Sequence, residues 1–173
     1  MPKSYNNLWA LGKGGIIFMA YAYEAAQQSV VLNQPVLFTD LIPCRNGNVF
    51  HSNGTGLFRL NGRTKCNCPN STADYLITFV GNIAIPTGGT VGPIAVALSV
   101  DGNIIVDSRA IVTPTAVDEY QNVSISRIVS VPKMCGCESI SIVAVSGLVD
   151  DSSGTPAPVI SLVDGNLLIA RQA

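Results

Sequence analysis

Short runs in which apolar and polar residues alternate fill most of the chain between residues 75 and 170. Successive side chains of an extended chain point to opposite faces, so the run 75–85 places its largest apolar residues on one face: Tyr75, Ile77 and Phe79. The same period of two recurs in three further runs, 94–100, 123–129 and 139–145. Glycine, proline and Asp-Gly breaks separate the runs. Several strands at this spacing predict an all-β sandwich or barrel.

The remaining apolar runs are shorter and complete the predicted set of strands. They are found at 30–32, 36–38, 48–51, 56–60, 159–163 and 166–170. The total of eight to ten strands is what an antiparallel jelly roll needs. Residues 1–28 carry no consistent strand pattern, and Ala20–Gln28 is compatible with a short helix or an extended arm. We therefore predict an N-terminal arm at 1–28 and a jelly-roll domain at 29–173.

The composition is poor in charge for a soluble domain. Only 12% of the 173 residues are charged and 47% are hydrophobic, whereas about 25% charged residues is ordinary. Such a chain must leave weakly polar and apolar areas on its surface, and a neighbouring subunit usually covers them. The composition therefore favours an oligomer.

Charge and the length of the apolar runs exclude two classes of partner. Ten Lys and Arg against eleven Asp and Glu give a net charge of -1, so we expect no nucleic-acid binding. No uninterrupted apolar stretch reaches about 18 residues, so we expect no membrane span. Lys13 followed by Gly14–Ala22 resembles a short secretory signal. An extension that docks on a partner, or a natural start at Met19, explains the same residues.

Catalytic chemistry has few residues on which to rest. His51 is the only histidine, which excludes metal sites built on two or three imidazoles. No Gly-x-Ser-x-Gly elbow accompanies it for a Ser-His-Asp triad. The glycines of residues 81–92 form no phosphate-binding motif. We expect no enzyme activity, no catalytic residue and no cofactor.

Four segments resemble the tumour necrosis factor-like and complement C1q-like jelly-roll superfamily, in its compact bacterial and bacteriophage form. They correspond to an opening strand, a central aromatic strand, a strand with its Asp-Gly hairpin and a closing strand, at 33–38, 73–80, 94–102 and 165–171. Ala73-Asp74 stands where the family commonly has Gly. The resemblance covers about residues 33–172 and includes the C-terminal domain of the collagen-like spore-coat glycoprotein and small proteins of Firmicutes and their phages. No Gly-x-y collagen repeat precedes the domain.

The resemblance implies a homotrimer whose subunits pack through apolar faces around a three-fold axis, and a role in adhesion or binding. On this basis we expect the interface to use three strands, around 75–85, 123–131 and 167–170. The candidate interface side chains are Tyr75, Ile77, Phe79, Ile125, Val129 and Leu168.

Two Cys-x-Cys pairs are the most distinctive local chemistry in the sequence. Five cysteines are present, Cys44 alone and the others as the pairs Cys66/Cys68 and Cys135/Cys137. In the jelly-roll assignment the two pairs lie in loops at the same end of the barrel. Two cross-loop disulfides, a structural zinc ion held by four thiolates, and four reduced thiols are the alternatives there. The choice depends on the redox compartment.

The leading functional interpretation is a non-enzymatic structural and adhesion protein of a bacteriophage particle, as a trimeric head fibre, capsid decoration or tail-associated knob. The N-terminal arm attaches it to a capsid or other virion protein, and loops at one barrel end contact a host or environmental surface. A spore-coat or cell-surface trimer of a bacterium is the alternative. A carbohydrate-binding jelly roll has less support, because Trp9 is the only tryptophan and lies outside the predicted barrel.

Overall fold

The computed structural model describes five ranges of the chain, 19–40, 47–62, 71–133, 137–148 and 159–172. In these ranges the backbone forms twelve strands and one turn of 3-10 helix, Val106–Ser108. The strands are β1 (Met19–Ala25), β2 (Gln28–Val31), β3 (Thr39–Asp40), β4 (Val49–His51), β5 (Phe58–Asn61), β6 (Thr72–Ala84), β7 (Ile94–Val100), β8 (Asn103–Ile104), β9 (Ala110–Val112), β10 (Gln121–Pro132), β11 (Cys137–Ser146) and β12 (Val159–Arg171). No helix among the described residues is long and apolar enough to cross a membrane.

Two antiparallel sheets pack face to face. The first sheet has the strand order β10-β6-β12-β1-β3, with β2 paired to the other half of β12. The second sheet has the order β4-β5-β11-β7-β8, with β9 also paired to β7. Most neighbouring strands of the first sheet are distant in sequence, and in the second sheet β11 pairs with β5 and with β7, both far earlier in the chain. This is the connectivity of a jelly roll. The prediction of an all-β, antiparallel jelly-roll sandwich is confirmed.

The core between the sheets is built by the alternation seen in the sequence. Every second residue of β6 from Ala73 to Phe79 is buried, and the residues between them face outward or remain half-buried. The ring of Phe38 meets the ring of Phe58 at 5.5 Å and that of Phe79 at 6.3 Å between centroids. Both pairs are edge-to-face, the arrangement that aromatic rings prefer. These contacts join the two sheets near their centre.

The N-terminal boundary of the domain differs from the expectation. Residues 19–25, which the sequence assigned to the arm, form β1, and β1 lies inside the first sheet between β12 and β3. Its pairing with β12 runs without a break from Met19 to Ala25, and Tyr21 and Tyr23 are buried. This long-range pairing outweighs the modest strand preference of alanine and glutamate. The jelly roll thus includes β1, and the rest of the predicted arm, residues 1–18, lies outside the described residues.

The closing strand is continuous where the sequence indicated two runs. β12 spans both runs and carries a β-bulge between Val163 and Asn166. Asp164 adopts a positive φ of 52°. A Cβ atom on Gly165 would lie 2.8 Å from the Cβ of Ala25, so only glycine fits against β1 at this point. β12 remains paired with β6 on both sides of the bulge, at 161–163 and at 166–171.

The two ends of the sandwich carry different segments. At the basal end β1 begins and β12 ends, because Met19 pairs with Arg171. The hairpin Asp101-Gly102 also lies there, with positive φ angles of 47° and 80°, as the Asp-Gly pair predicts. The distal end carries the loops 85–93 and 113–120, which connect β6 to β7 and β9 to β10.

Candidate subunit-contact face

The outer face of the first sheet presents the side chains that alternate with those in the core. The strand register aligns them in rows across β10, β6, β12 and β1. Three central rows define what we call the contact face: Ile128–Leu76–Ala170–Ala20, Ser126–Thr78–Leu168–Ala22 and Ser124–Val80–Asn166–Glu24.

Aliphatic side chains of the contact face are open to solvent. Ile128 is 64% exposed, Leu168 is 40% exposed and Val80 is 39% exposed. Glu24 is the only ionisable residue in the three rows. Four strands ~4.8 Å apart and three rows ~7 Å apart give a projected area on the order of 400 Å². That area is close to the ~500 Å² per partner that a specific protein contact needs.

Five of the six candidate interface residues lie on the opposite face of the same sheet. These five are at most 8% exposed and belong to the core between the sheets: Tyr75, Ile77, Phe79, Ile125 and Val129. The side chains of Tyr75, Ile77, Phe79 and Ile125 are therefore unavailable to a second subunit, and Val129 reaches the surface only where it lines the groove beside β10. Assigning these five residues to an outer face that packs around a three-fold axis was wrong. Leu168 alone of the six lies on the contact face.

The error has a simple physical cause. The predicted interface used the more apolar face of each strand, but a sandwich buries that face inside one chain. The prediction did not include Leu76, Val80 and Ile128, which lie on the other face. The signal was present, because each of these large apolar residues stands where the alternation of its strand requires a polar one.

A groove of about 640 Å³ continues from the contact face around the free edge of β10. Arg127 and Asp107 form an ion pair of 3.2 Å between Nη2 and Oδ2, which links β10 to the 3-10 turn beside the groove. The remaining lining is aliphatic except for Ser126. It consists of Leu76, Leu98, Val100, Ile105, Ile128 and Val129.

Cys137 is the one candidate cysteine that the structure describes, since Cys66, Cys68 and Cys135 lie outside the described residues. It is a free thiol at the start of β11. The Arg59 guanidinium donates a hydrogen bond from Nη2 to its sulfur at 3.0 Å. This hydrogen bond raises the pKa of Arg59. In the described ranges no three His, Cys, Asp or Glu side chains are grouped to hold a metal ion.

The ends of the two cysteine loops lie side by side at the basal end. Cys137 pairs with Asn61 across β11 and β5, and the backbone N–H of Lys133 donates to the carbonyl of Ser71 at 3.2 Å. The expected placement of both loops at one end of the barrel agrees with these contacts. The meeting of the four thiols themselves, in disulfides or on zinc, stays a prediction.

His51 is held in an aromatic cluster. Its ring stacks on Phe58 with centroids 4.2 Å apart and an angle of 10°, and it meets the edge of Tyr23 at 5.1 Å. Its Nε2 lies 3.0 Å from the carbonyl oxygen of Thr55 and donates to it when protonated. This environment holds the only histidine in place by packing.

Solved structures confirm the fold inferred from the sequence motifs. The chain is similar to the Eiger TNF from S. frugiperda, with a TM-score of 0.59 and 10% identity over 90% of this chain and 93% of that one. It is similar to murine APRIL, with a TM-score of 0.54 and 10% identity over 89% of this chain and 100% of that one. The globular domain of zebrafish complement 1qA also matches, with a TM-score of 0.49 and 15% identity over 86% and 94% of the two chains.

The likeness to the first two structures, Eiger TNF and APRIL, establishes a TNF-like jelly-roll fold. No protein-family model and no curated protein matches the sequence. At 10% identity the fold is common to the proteins while the residues are not, so function must be argued from the surface of this chain itself.

Proposed function

We propose that this protein is a non-enzymatic binding module that assembles as a homotrimer, with the contact face of each copy turned toward a three-fold axis. One observation carries the proposal: the contact face combines exposed aliphatic side chains with a single ionisable residue. Apolar surface of this kind is ordinarily covered by a partner. A second and a third copy of the chain cover it in every molecule at once.

The arrangement of the first sheet favours three copies over two. A two-fold contact sets the same patch of two copies against itself, whereas a ring sets one edge of each copy against the opposite edge of the next. At the β10 edge the contact face continues into the groove, whereas the opposite edge is formed by β1 and the short strand β3. Because the two edges of the contact face differ, the β10 edge of one copy can pack against the β1 edge of the next, which is the contact that closes a ring. The resemblance to TNF-like and C1q-like proteins, which implies a trimer, supports the same choice.

The biological role that we propose is a surface-binding component of a bacteriophage particle, as a head fibre, capsid decoration or tail-associated knob. Residues 1–18 join the domain at Met19, at the basal end, so in a trimer the three arms leave at the same end. This polarity supports attachment of the arms to a capsid or other virion protein, with the distal loops directed toward a host or environmental surface. A bacterial spore-coat or cell-surface trimer is the alternative.

Mass spectrometry of purified phage particles tests this localisation. The chain is expected among the virion proteins. Its absence from particles, together with its presence on spores or cell walls, would instead support the bacterial alternative.

A matched pair of substitutions tests the trimer. Leu168 lies on the contact face and Ile111 on the outer face of the second sheet, at 40% and 41% exposure. Leu168→Asp is expected to yield single chains, because each interface would have to bury an unpaired carboxylate. Ile111→Asp is expected to leave three chains together. Light scattering coupled to size exclusion reports the mass, and an unmodified protein with the mass of one chain at micromolar concentration contradicts the proposal.

A further inference from the structure

The groove beside β10 is an apolar site that one chain leaves unfilled. Ile128 and Leu76 belong both to the groove and to the contact face, so the two surfaces are continuous. The backbone N–H of Ile105 donates to the carbonyl of Leu98 at 2.9 Å. One wall of the groove is therefore fixed in place by a backbone hydrogen bond.

In a ring of three, the strand order shows which edge of the neighbouring copy's first sheet faces this groove. The sheet has β10 at one edge and β1 with β3 at the other. When three such sheets surround an axis, the β1 side of one copy meets the β10 side of the next. The start of β1 in one copy therefore approaches the groove of its neighbour.

The groove and the start of β1 also lie at the same height in the sandwich. Leu76 pairs with Ala170, and Ala170 pairs with Ala20. Val100, on the other wall, directly precedes the basal hairpin that begins at Asp101. Met19 lies one residue closer to the basal end than Ala20. Met19 is level with Val129, the most basal β10 residue of the groove. In a ring, the residues that precede Met19 of one copy thus join β1 at the basal limit of the next copy's groove.

The sequence before Met19 has the composition that such a groove requires. Ile16, Ile17 and Phe18 form an uninterrupted apolar triplet, and Gly14 with Gly15 precedes it. A triplet of this kind fits an aliphatic groove by burial of apolar surface, at about 25 cal/mol per Å². The two glycines allow the chain to turn before it leaves the groove.

We propose that Ile16–Phe18 of one copy fills the β10 groove of the next copy, so that each N-terminal segment ties two subunits together. The inference rests on the proposed homotrimer. It assigns to these residues a role in assembly, separate from that of the residues before Gly14, which remain available for attachment.

Cysteine cross-linking between different chains tests the inference. A chain with Ile17→Cys is co-assembled with a chain carrying Ile105→Cys, a groove residue outside the contact face. A disulfide between positions 17 and 105 of different chains is expected under mild oxidation. The matched control pairs Ile17→Cys with Ile111→Cys, which lies on the outer face of the second sheet, and no such link is expected there. Peptide mapping by mass spectrometry separates these links from any that involve native cysteines.

The outcomes distinguish this inference from the proposed function. Trimers without the 17–105 link overturn the inference and leave the trimer intact, whereas single chains overturn the trimer. A 17–105 link that forms only when both cysteines are on one chain also overturns it, because the segment then docks on its own copy.

Removal of residues 1–18 gives a second measurement. Hydrogen exchange at the backbone amides of residues 126–129 is expected to become faster while the protein remains a trimer. Unchanged exchange at the β10 edge contradicts the inference.

Discussion

The outer faces of the two sheets carry apolar residues that differ in their exposure to solvent. At the centre of the second sheet the outward residues of β7 and β11 are small or β-branched, and all four are at most 7% exposed in one chain: Ala95, Ala97, Val143 and Val145. At the centre of the first sheet the outward residues include Val80, Leu168 and Ile128, which are 39–64% exposed. Apolar composition alone therefore does not locate a docking face. Apolar residues that one chain leaves open to solvent do.

The contact face and the second sheet also differ in their charged residues. The first sheet has Glu24 as the only ionisable residue of its contact face. In the second sheet Arg59 contacts Cys137, and Glu138 lies near the Asp101 carboxylate, which is one cause of its raised pKa. Burial, and then the Asp101 carboxylate, raise the pKa of Glu138, so the second sheet carries an acid whose ionisation opposes folding, whereas the surface of the first sheet is suited to a subunit.

Two neighbouring residues of β6 give the strongest test of this comparison. Phe79 is fully buried and Val80 is 39% exposed on the opposite face. In the background of Leu168→Asp, in which we expect single chains, Phe79→Ala should lower the free energy of unfolding by ~3–5 kcal/mol because it leaves a cavity in the core. Denaturant unfolding measures this loss.

Val80→Ala is the control for that experiment. In the same background it should change the free energy of unfolding by ~1 kcal/mol or less, since Val80 is already 39% exposed to solvent in one chain. Similar losses for both variants would show that the contact face is packed within one chain, and the comparison of the two faces would fail.

Adding volume to each outer face gives a smaller effect. Ala97→Leu in the second sheet introduces three carbon atoms at a site with no exposed surface and should cost ~1–3 kcal/mol by overpacking. Ala22 on the contact face is half-buried in one chain. In single chains Ala22→Leu should leave the free energy of unfolding nearly unchanged. Thermal unfolding of the two variants, again in the Leu168→Asp background, compares them. A tolerated Ala97→Leu would mean that the second sheet also has an open outer face.

The smallest expected effect concerns the acids of the second sheet. Burial raises the pKa of Glu138, and the nearby Asp101 carboxylate raises it further. A carboxyl that holds its proton more tightly in the folded state loses stability as pH rises above the ordinary carboxyl pKa. Glu138→Gln should therefore raise the melting temperature at pH 7. At a pH well below about 4, Glu138 is protonated in both the folded and the unfolded state. The unmodified protein and Glu138→Gln should then have the same melting temperature.

Glu119 provides a control of opposite sign. Hydrogen bonds from the Thr115 hydroxyl, from the Thr115 backbone N–H and from the Ala116 backbone N–H lower its pKa. Its charge stabilises the folded state above the ordinary carboxyl pKa, and this contribution is lost as pH falls. Glu119→Gln should lower the melting temperature at pH 7. The same direction of change for both variants would contradict the assignment of the two environments.

The strands with clean alternation were the part of the fold that the sequence predicted well. β6, β7, β10 and β11 appear close to the expected positions, because in each of them large apolar residues recur with a period of two on the face that packs in the core. β1 was missed although Tyr21 and Tyr23 alternate with small residues. Its stability comes from pairing with β12, far along the chain, and no local window of sequence contains that partner.

The candidate site was less predictable for a related reason. Periodicity separates the two faces of a strand, but it does not say which face the second sheet will cover. Tyr75 and Phe79 lie on the more apolar face of β6, and the second sheet covers that face to form the core. Leu76 and Ile128 became recognisable only when the register of β10 and β6 placed them side by side on the outer face.

The bulge in β12 determines which residues of the closing strand face the core. Before it the buried residues are Ile160 and Leu162, at even positions, and after it they are Leu167 and Ile169, at odd positions. One extra residue thus decides that Leu168 points away from the core. A shorter relative lacking that residue would have nearly the same composition and hydropathy, yet the two sides of its last half-strand would be exchanged. Changes of length in this strand are conservative only when they come in pairs.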